Sequence, residues 1–283
     1  MAAAVWPIWS EPAERRSGPE TMSERDFLVF RLAGPMAAFG DIAVGERRGI
    51  WDAPSKSAIL GLVAGALGLK RDDTAAHLAL ETGLGFAVRV DVAGRPLRDY
   101  HTAQAPSARR NGQWRTRQEE LADGDELNTV LSERIYRLEA AATVALWNKG
   151  SETPSLDALA EALKQPRFTP YIGRKACPLG RPPRPHIVVA SGLQPAFAAY
   201  DALEADADAK LRFPWFATRQ VERQRIIWFE WDAGLADEER QAAEGGRIRQ
   251  RRDAVRDRGR WQFSDRREGS LTFAPPPAGE AAA

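Results

Sequence analysis

The chain of 283 residues carries 40 Lys and Arg against 39 Asp and Glu, a formal net charge of +1, and is 43% hydrophobic. This length and apolar content suffice for one large or two modest soluble domains, and the near-neutral balance excludes a uniformly basic nucleic-acid binder. A single cysteine, Cys177, excludes an internal disulfide framework, and with three histidines leaves too few soft ligands for structural zinc. No metal or cofactor is expected, and the expected compartment is reducing, hence cytoplasmic.

Residues 1–22 lack the basic start and apolar centre of a signal peptide and read as a disordered extension. Phe27 to Leu32 predicts a buried strand ended by Gly34-Pro35. After Pro54, Ser55 or Ser57 caps a helix running to Leu69, whose Gly61, Gly65 and Gly68 form a small-residue face for a sheet or partner backbone. That stretch is the longest apolar one and about half the length needed to span a bilayer, so no membrane helix is expected. Asp73 or Thr74 caps a second helix through Glu81, and Gly85 to Val92 alternates as a strand.

From Leu97 to about Arg137 the chain is polar and arginine-rich, and Ile135 to Trp147 then restores strand character. A long polar insertion between two strands predicts an extended hairpin or ordered loop projecting from the body. Ser155 caps a helix through Leu163, and Lys164 to Pro178 reads as a rigid connector dense in proline and basic residues. Further strands are expected at Ile187–Ala190, Arg225–Trp231, Trp261–Phe263 and Ser270–Phe273, and a disordered tail from Ala274. Strands interleaved with helices make the class α+β, and the order strand, helix, strand, strand, helix, strand would be ferredoxin-like.

Charge is unevenly placed. Between Arg98 and Arg117 five arginines face Asp99 alone, and between Arg247 and Arg267 nine arginines face three aspartates. Acid gathers at Asp201, Glu204, Asp206 and Asp208, and again at Asp237, Glu238 and Glu239; both stretches read as solvated loops or partner-facing surface. Tyr100, His101 and Trp114 lie among Arg98, Arg109, Arg110, Arg115 and Arg117, a basic run with interleaved aromatics suited to phosphates and unstacked bases. Ser55-Lys56-Ser57 opens a helix, where free N–H groups favour phosphate, with Arg47 and Arg48 just upstream. Tyr171 with Gly173-Arg174-Lys175 offers a close backbone approach, two cations and a ring. In the arginine run near the C-terminus, Arg249, Arg251 and Arg260 are further candidates. No phosphate-loop motif occurs, and only His101 is a serious candidate general base.

Three sets of residues carry a family resemblance. The stretch Arg31-Leu-Ala-Gly-Pro-Met-Ala-Ala-Phe-Gly40, with Pro54 to Leu69 and Arg71-Asp-Asp73, resembles the opening of the Cas5 family, within it the CasD type of subtype I-E CRISPR Cascade. Leu97-Arg-Asp-Tyr-His-Thr102 and Thr143-Val-Ala-Leu-Trp147 resemble the two sides of that family's thumb, and Pro166 to Pro178 its central signature. Arg251-Arg-Asp253 with Arg260 to Arg266 resembles its end, and the likeness weakens between Leu193 and Gly246. The resemblance implies a ferredoxin-like, RNA-recognition-type palm over 23–186 with a thumb at about 97–142, then a smaller β-rich region over 187–274 and a tail at 275–283. It implies a non-catalytic subunit that binds the 5′ handle of the CRISPR RNA, caps the Cascade backbone and contacts the large subunit, reaching target DNA indirectly and no membrane. A precursor-processing endoribonuclease with His101 as its base is the alternative.

Overall fold

The computed structural model describes residues 24–41, 45–106, 115–122, 127–150, 155–210, 225–235 and 247–273. The N-terminal extension, Arg109, Arg110, Trp114, the acidic group 237–239 and the C-terminal tail lie outside them.

The elements are β1 (Arg25–Ala37), β2 (Arg47–Arg48), α1 (Lys56–Leu67), α2 (Thr74–Gly83), β3 (Leu84–Val92), β4 (Arg95–Pro106), α3 (Arg117–Ala122) and β5 (Leu127–Asn148). They continue with α4 (Leu156–Lys164), β6 (His186–Ala190), α5 (Leu193–Lys210), β7 (Arg225–Glu230), β8 (Arg249–Asp257) and β9 (Gln262–Phe273). One sheet runs in the order β6-β1-β5-β3-β7-β9-β8, with β2 and β4 attached to β5 off that path. Every pairing is antiparallel except β2 with β5.

Alternation sends opposite sides of each strand to different layers. Leu28, Phe30, Phe86, Val88, Val144 and Leu146 pack under α1 and α4, against Ile59, Val63, Leu159 and Leu163. Phe27, Val29, Ala145, Trp147, Ile227 and Phe229 face the other way, under Ala196, Phe197 and Tyr200 of α5. Each large apolar side chain so buried contributes about 1.5–3 kcal/mol. Both helices predicted from serine caps start there: Ser55 Oγ accepts the Ala58 N–H at 3.1 Å, and Ser155 Oγ that of Ala158 at 3.4 Å.

Three expectations are corrected. β1 does not end at Gly34-Pro35; it runs to Ala37, Gly34 pairing with Ala140 and Met36 with Leu138. Among the described residues no strand pairs β1 on its β6 side beyond Val29, the half-open setting in which a strand tolerates proline. The acidic stretch from Asp201 is not a loop but part of α5, and Asp201 and Glu204 turn inward onto arginines. The glycine face of α1 meets no sheet: Gly61 makes room for the Arg258 guanidinium and Gly68 for the Arg167 side chain.

Candidate nucleic-acid interface

The polar insertion forms a long hairpin. β4 pairs with the first half of β5 from Arg95↔Leu138 to Pro106↔Leu127 without a register break, and β2 lies along the other edge of β5. Neither strand has the apolar alternation needed to bury a face, which is why this ribbon stands on the sheet rather than under a helix.

Period-two alternation splits the predicted residues between the ribbon's faces. One face carries Arg47, Arg98 and Tyr100 around Glu133, which the two arginines share at 3.6 and 3.5 Å. One carboxylate against two guanidiniums leaves a positive balance beside Tyr100, a residue 62% exposed. The other face aligns Arg48, Arg134 and Asp99 in one cross-strand row. There His101 Nε2 makes a short contact with Asp99 Oδ2. Tyr100 and His101, adjacent in sequence, therefore do not share a surface. Arg115 is exposed, its N–H donating to Glu119 Oε2 at 2.9 Å just before α3.

At the ribbon's base, the Arg174 guanidinium stacks 4.8 Å from the Tyr136 ring and donates to the Ile135 carbonyl at 3.4 Å. Gly173 permits this: its φ is +85°, and a Cβ would lie 1.8 Å from the Ala38 carbonyl oxygen. Arg174 is thereby a brace, while Lys175 stays exposed. Tyr171 is also exposed. Burial pushes the Cys177 thiol up in the same small cluster.

The expected phosphate seat at Ser55-Lys56-Ser57 is corrected. Lys56 is 0% exposed, and its ammonium donates to the Glu81 carbonyl at 2.8 Å and to Glu230 Oε2 at 2.9 Å. The helix N-terminus is occupied by the chain's own anion, since the Lys56 N–H donates to Asp253 Oδ2 at 2.8 Å. Ser55 is buried as the cap and its Oγ lies 3.1 Å from that of Ser57. These hydroxyls line a cleft of about 190 Å³ with Trp51, Arg251, Arg252 and Asp253.

Part of the C-terminal arginine run is internal as well, while Arg247, Arg252, Arg256, Arg260 and Arg267 are exposed. Arg266 donates to Asp253 at 2.7 Å and to Glu268 at 2.6 Å, and Arg249 to Glu268 at 2.7 Å. Arg251, 1% exposed, donates to the Ala53 carbonyl. Burial opposes ionisation of Glu268, but Arg266, Arg251 and Arg249 outweigh it and hold its carboxyl below the usual range. Arg260 remains exposed.

Under α5, sequence reading missed a charge cluster. Arg89 donates to Asp91 at 2.7 Å and to Asp201 at 2.7 and 2.8 Å; Arg31 reaches Asp201 at 2.8 Å, and Thr143 donates to Asp91 at 2.5 Å. Burial raises the Asp91 pKa, and Arg89, Arg31, Thr143 and Arg225 more than reverse that. This face of the sheet is closed by α5, so a strand of nucleic acid has no access across it. The signal available in sequence was Arg89 and Asp91 inside an otherwise apolar strand.

The family description CRISPR-associated protein (Cas_Cas5) matches residues 27–267. The Escherichia coli (strain K12) protein named CRISPR system Cascade subunit CasD is 36% identical over 190 residues, covering 64% of this chain and 80% of that protein. Among solved structures, a chain of a CRISPR RNA-guided surveillance complex superposes with TM-score 0.56 at 21% identity, covering 89% of this chain and 91% of that one. A second, described as the crystal structure of a Cas protein, gives 0.53 at 24% identity, with 88% and 95% covered. With the family match spanning most of the chain and the ribbon and sheet in hand, this chain belongs to the Cas5 family of CRISPR-associated proteins and is of its CasD type.

Proposed function

We propose that this protein is a non-catalytic subunit of a Cascade surveillance complex that seats the single-stranded 5′ handle of the CRISPR RNA along the β4–β5 ribbon. It caps the backbone subunits, contacts the large subunit and acts on target DNA only through the assembly. The observation that carries this is the ribbon: an exposed, unbroken hairpin with Arg47, Arg98 and Tyr100 on one face and Arg48 and Arg134 on the other. Guanidiniums beside an exposed ring suit phosphates and splayed bases. Arg109 and Arg110 extend the same segment in sequence and belong to this reading. Arg115 and Lys175 add exposed charge at its two ends.

The strand order β6-β1-β5-β3, with helices after β1 and β5, supports a ferredoxin-like palm, and the ribbon its thumb. In this reading the palm covers 23–186, and β7, β8 and β9 form the smaller β-rich region within 187–274, joined to the palm through the β3–β7 pairing.

The second reading, a metal-independent endoribonuclease, rests on the Asp99–His101 contact, since a carboxylate can orient an imidazole as a base. One experiment separates the two. Labelled repeat RNA is incubated in chelator with the chain, alone and with its backbone subunit, and scored for retention and cleavage. Handle-dependent retention of intact RNA is expected; a discrete cut by the chain alone, lost in His101→Ala, would replace the first reading with the second.

A further inference from the structure

The turn between β8 and β9 packs on α1 and on the start of α2, and there Arg71 and Arg258 both approach one indole. Their guanidinium carbons lie 4.8 and 4.7 Å from the centre of the Trp261 ring. Two like charges are thereby gathered on one side chain. Arg71 donates to the Gly259 carbonyl at 3.0 Å, and among the described residues neither guanidinium has a carboxylate partner.

Arg258 is a built feature. It is half-buried against α1, where Gly61 leaves the space: a Cβ there would stand 3.0 Å from Arg258 Nη2. Burial pulls Arg258 below the usual guanidinium range, Tyr171 offsets part of this, and Arg71 adds to it. Trp261 supplies an independent sign. It holds φ at +54°, a conformation costly to a bulky residue, while remaining 53% exposed. Strain, an exposed indole and two cations with no carboxylate partner among the described residues all act against folding stability, so together they mark a surface shaped for a ligand.

We propose that Arg71, Arg258 and Trp261 form a second nucleic-acid contact, separate from the ribbon, that takes one phosphate and the adjacent unpaired base of a single strand. Two planar forks suit a tetrahedral phosphate, and an indole next to them suits any base. Neither element reads the 2′-hydroxyl, so RNA and DNA single strands bind alike and a duplex, whose bases are stacked inside, binds more weakly.

The test uses the full chain and labelled oligouridylate and oligothymidylate about 12 nucleotides long, within the span of a single-strand site. Fluorescence anisotropy is measured across a salt series. Trp261→Ala is expected to weaken both strands about five-fold or more with the salt slope unchanged, and Trp261→Phe to retain most of the affinity. Arg71→Gln with Arg258→Gln is expected to lower the slope of log affinity against log salt by about 0.7, the value for one lost phosphate contact on a single strand. Unchanged affinity in Trp261→Ala with an unchanged slope in the arginine pair overturns the proposal, as does polyglutamate displacing the strand as well as unlabelled oligothymidylate does. If Trp261→Ala fails to fold, the arginine pair and Trp261→Phe decide. Repeating the series in an Arg98→Glu background keeps the result independent of the ribbon.

Discussion

Replacing Lys56 by Met removes one charge from a site with no solvent and leaves the side-chain volume nearly unchanged. The ammonium holds the Glu81 carbonyl at 2.8 Å, Glu81 Oε1 at 3.1 Å and Glu230 at 2.9 and 3.1 Å. Without it Glu81 has no cation among the described residues, and Glu230 keeps only Lys149 at 3.2 Å. Removing one member of a buried pair costs about 3–5 kcal/mol because the partner stays buried and charged. At about 2–4 °C per kcal/mol for a chain of this size, the melting temperature should fall by about 10 °C. Urea unfolding should show a lower midpoint at an unchanged slope, and pairing Lys56→Met with Glu230→Gln should recover part of the loss. RNA retention by the folded variant at low temperature should equal that of the parent. A variant that melts normally but loses affinity, with a shallower salt dependence, would refute the internal role and return Lys56 to the phosphate seat.

Glu268→Gln should destabilise by about 3–5 kcal/mol at neutral pH. Because the folded-state pKa of Glu268 lies below its unfolded value, its contribution is complete above the unfolded pKa and is lost as pH falls through the folded one. The difference between parent and variant in denaturant midpoints should therefore shrink in acid; a constant difference would contradict the depressed pKa. Gly173→Ala should unseat the Arg174 brace, with a loss of roughly 2 kcal/mol or more from positive φ and the clash with Ala38, read by thermal melting. Arg47→Glu with Arg98→Glu should weaken handle retention at least ten-fold at low salt without changing the melting curve, about 1.4 kcal/mol or more. Charge reversal at Arg109 and Arg110 should weaken assembly while leaving the fold intact, as judged by circular dichroism and co-purification of the backbone subunit.

Local signals served well where one periodicity governed a segment. Ser155 and the run to Leu163 marked α4 within a residue, and the loss of apolar alternation after Leu97 marked the hairpin that β4 and β5 form. They failed where charges satisfy one another across the sheet. Arg251, Asp253 and Arg266 read as part of a basic run open to phosphate or an acidic partner because their pairing with one another and with Glu268 depends on the β8–β9 register, which no local pattern specifies. Asp201 lies 112 residues from Arg89, so the acids from Asp201 read as solvated loop or partner-facing surface although Asp201 and Glu204 are counter-ions of arginines in the fold. Lys56 was misplaced for the same reason: its partners come from α2 and β7. Of the candidate interface, the ribbon's position in the chain was legible, whereas Arg71 meets Arg258 and Trp261 only after the α1–α2 loop and the β8–β9 turn fold together.

β5 is one strand of 22 residues, roughly 75 Å of extended chain. Its first part belongs to the ribbon, its last part lies between β1 and β3, and Glu139, at φ +58°, stands where the two meet. Lever and anchor are consequently one covalent piece. A load on the ribbon travels down this backbone to the middle rail of the sheet and is shared there by neighbours on both sides. The ribbon is joined to the core through Glu139, the one residue of β5 at positive φ, with no break in the strand between them.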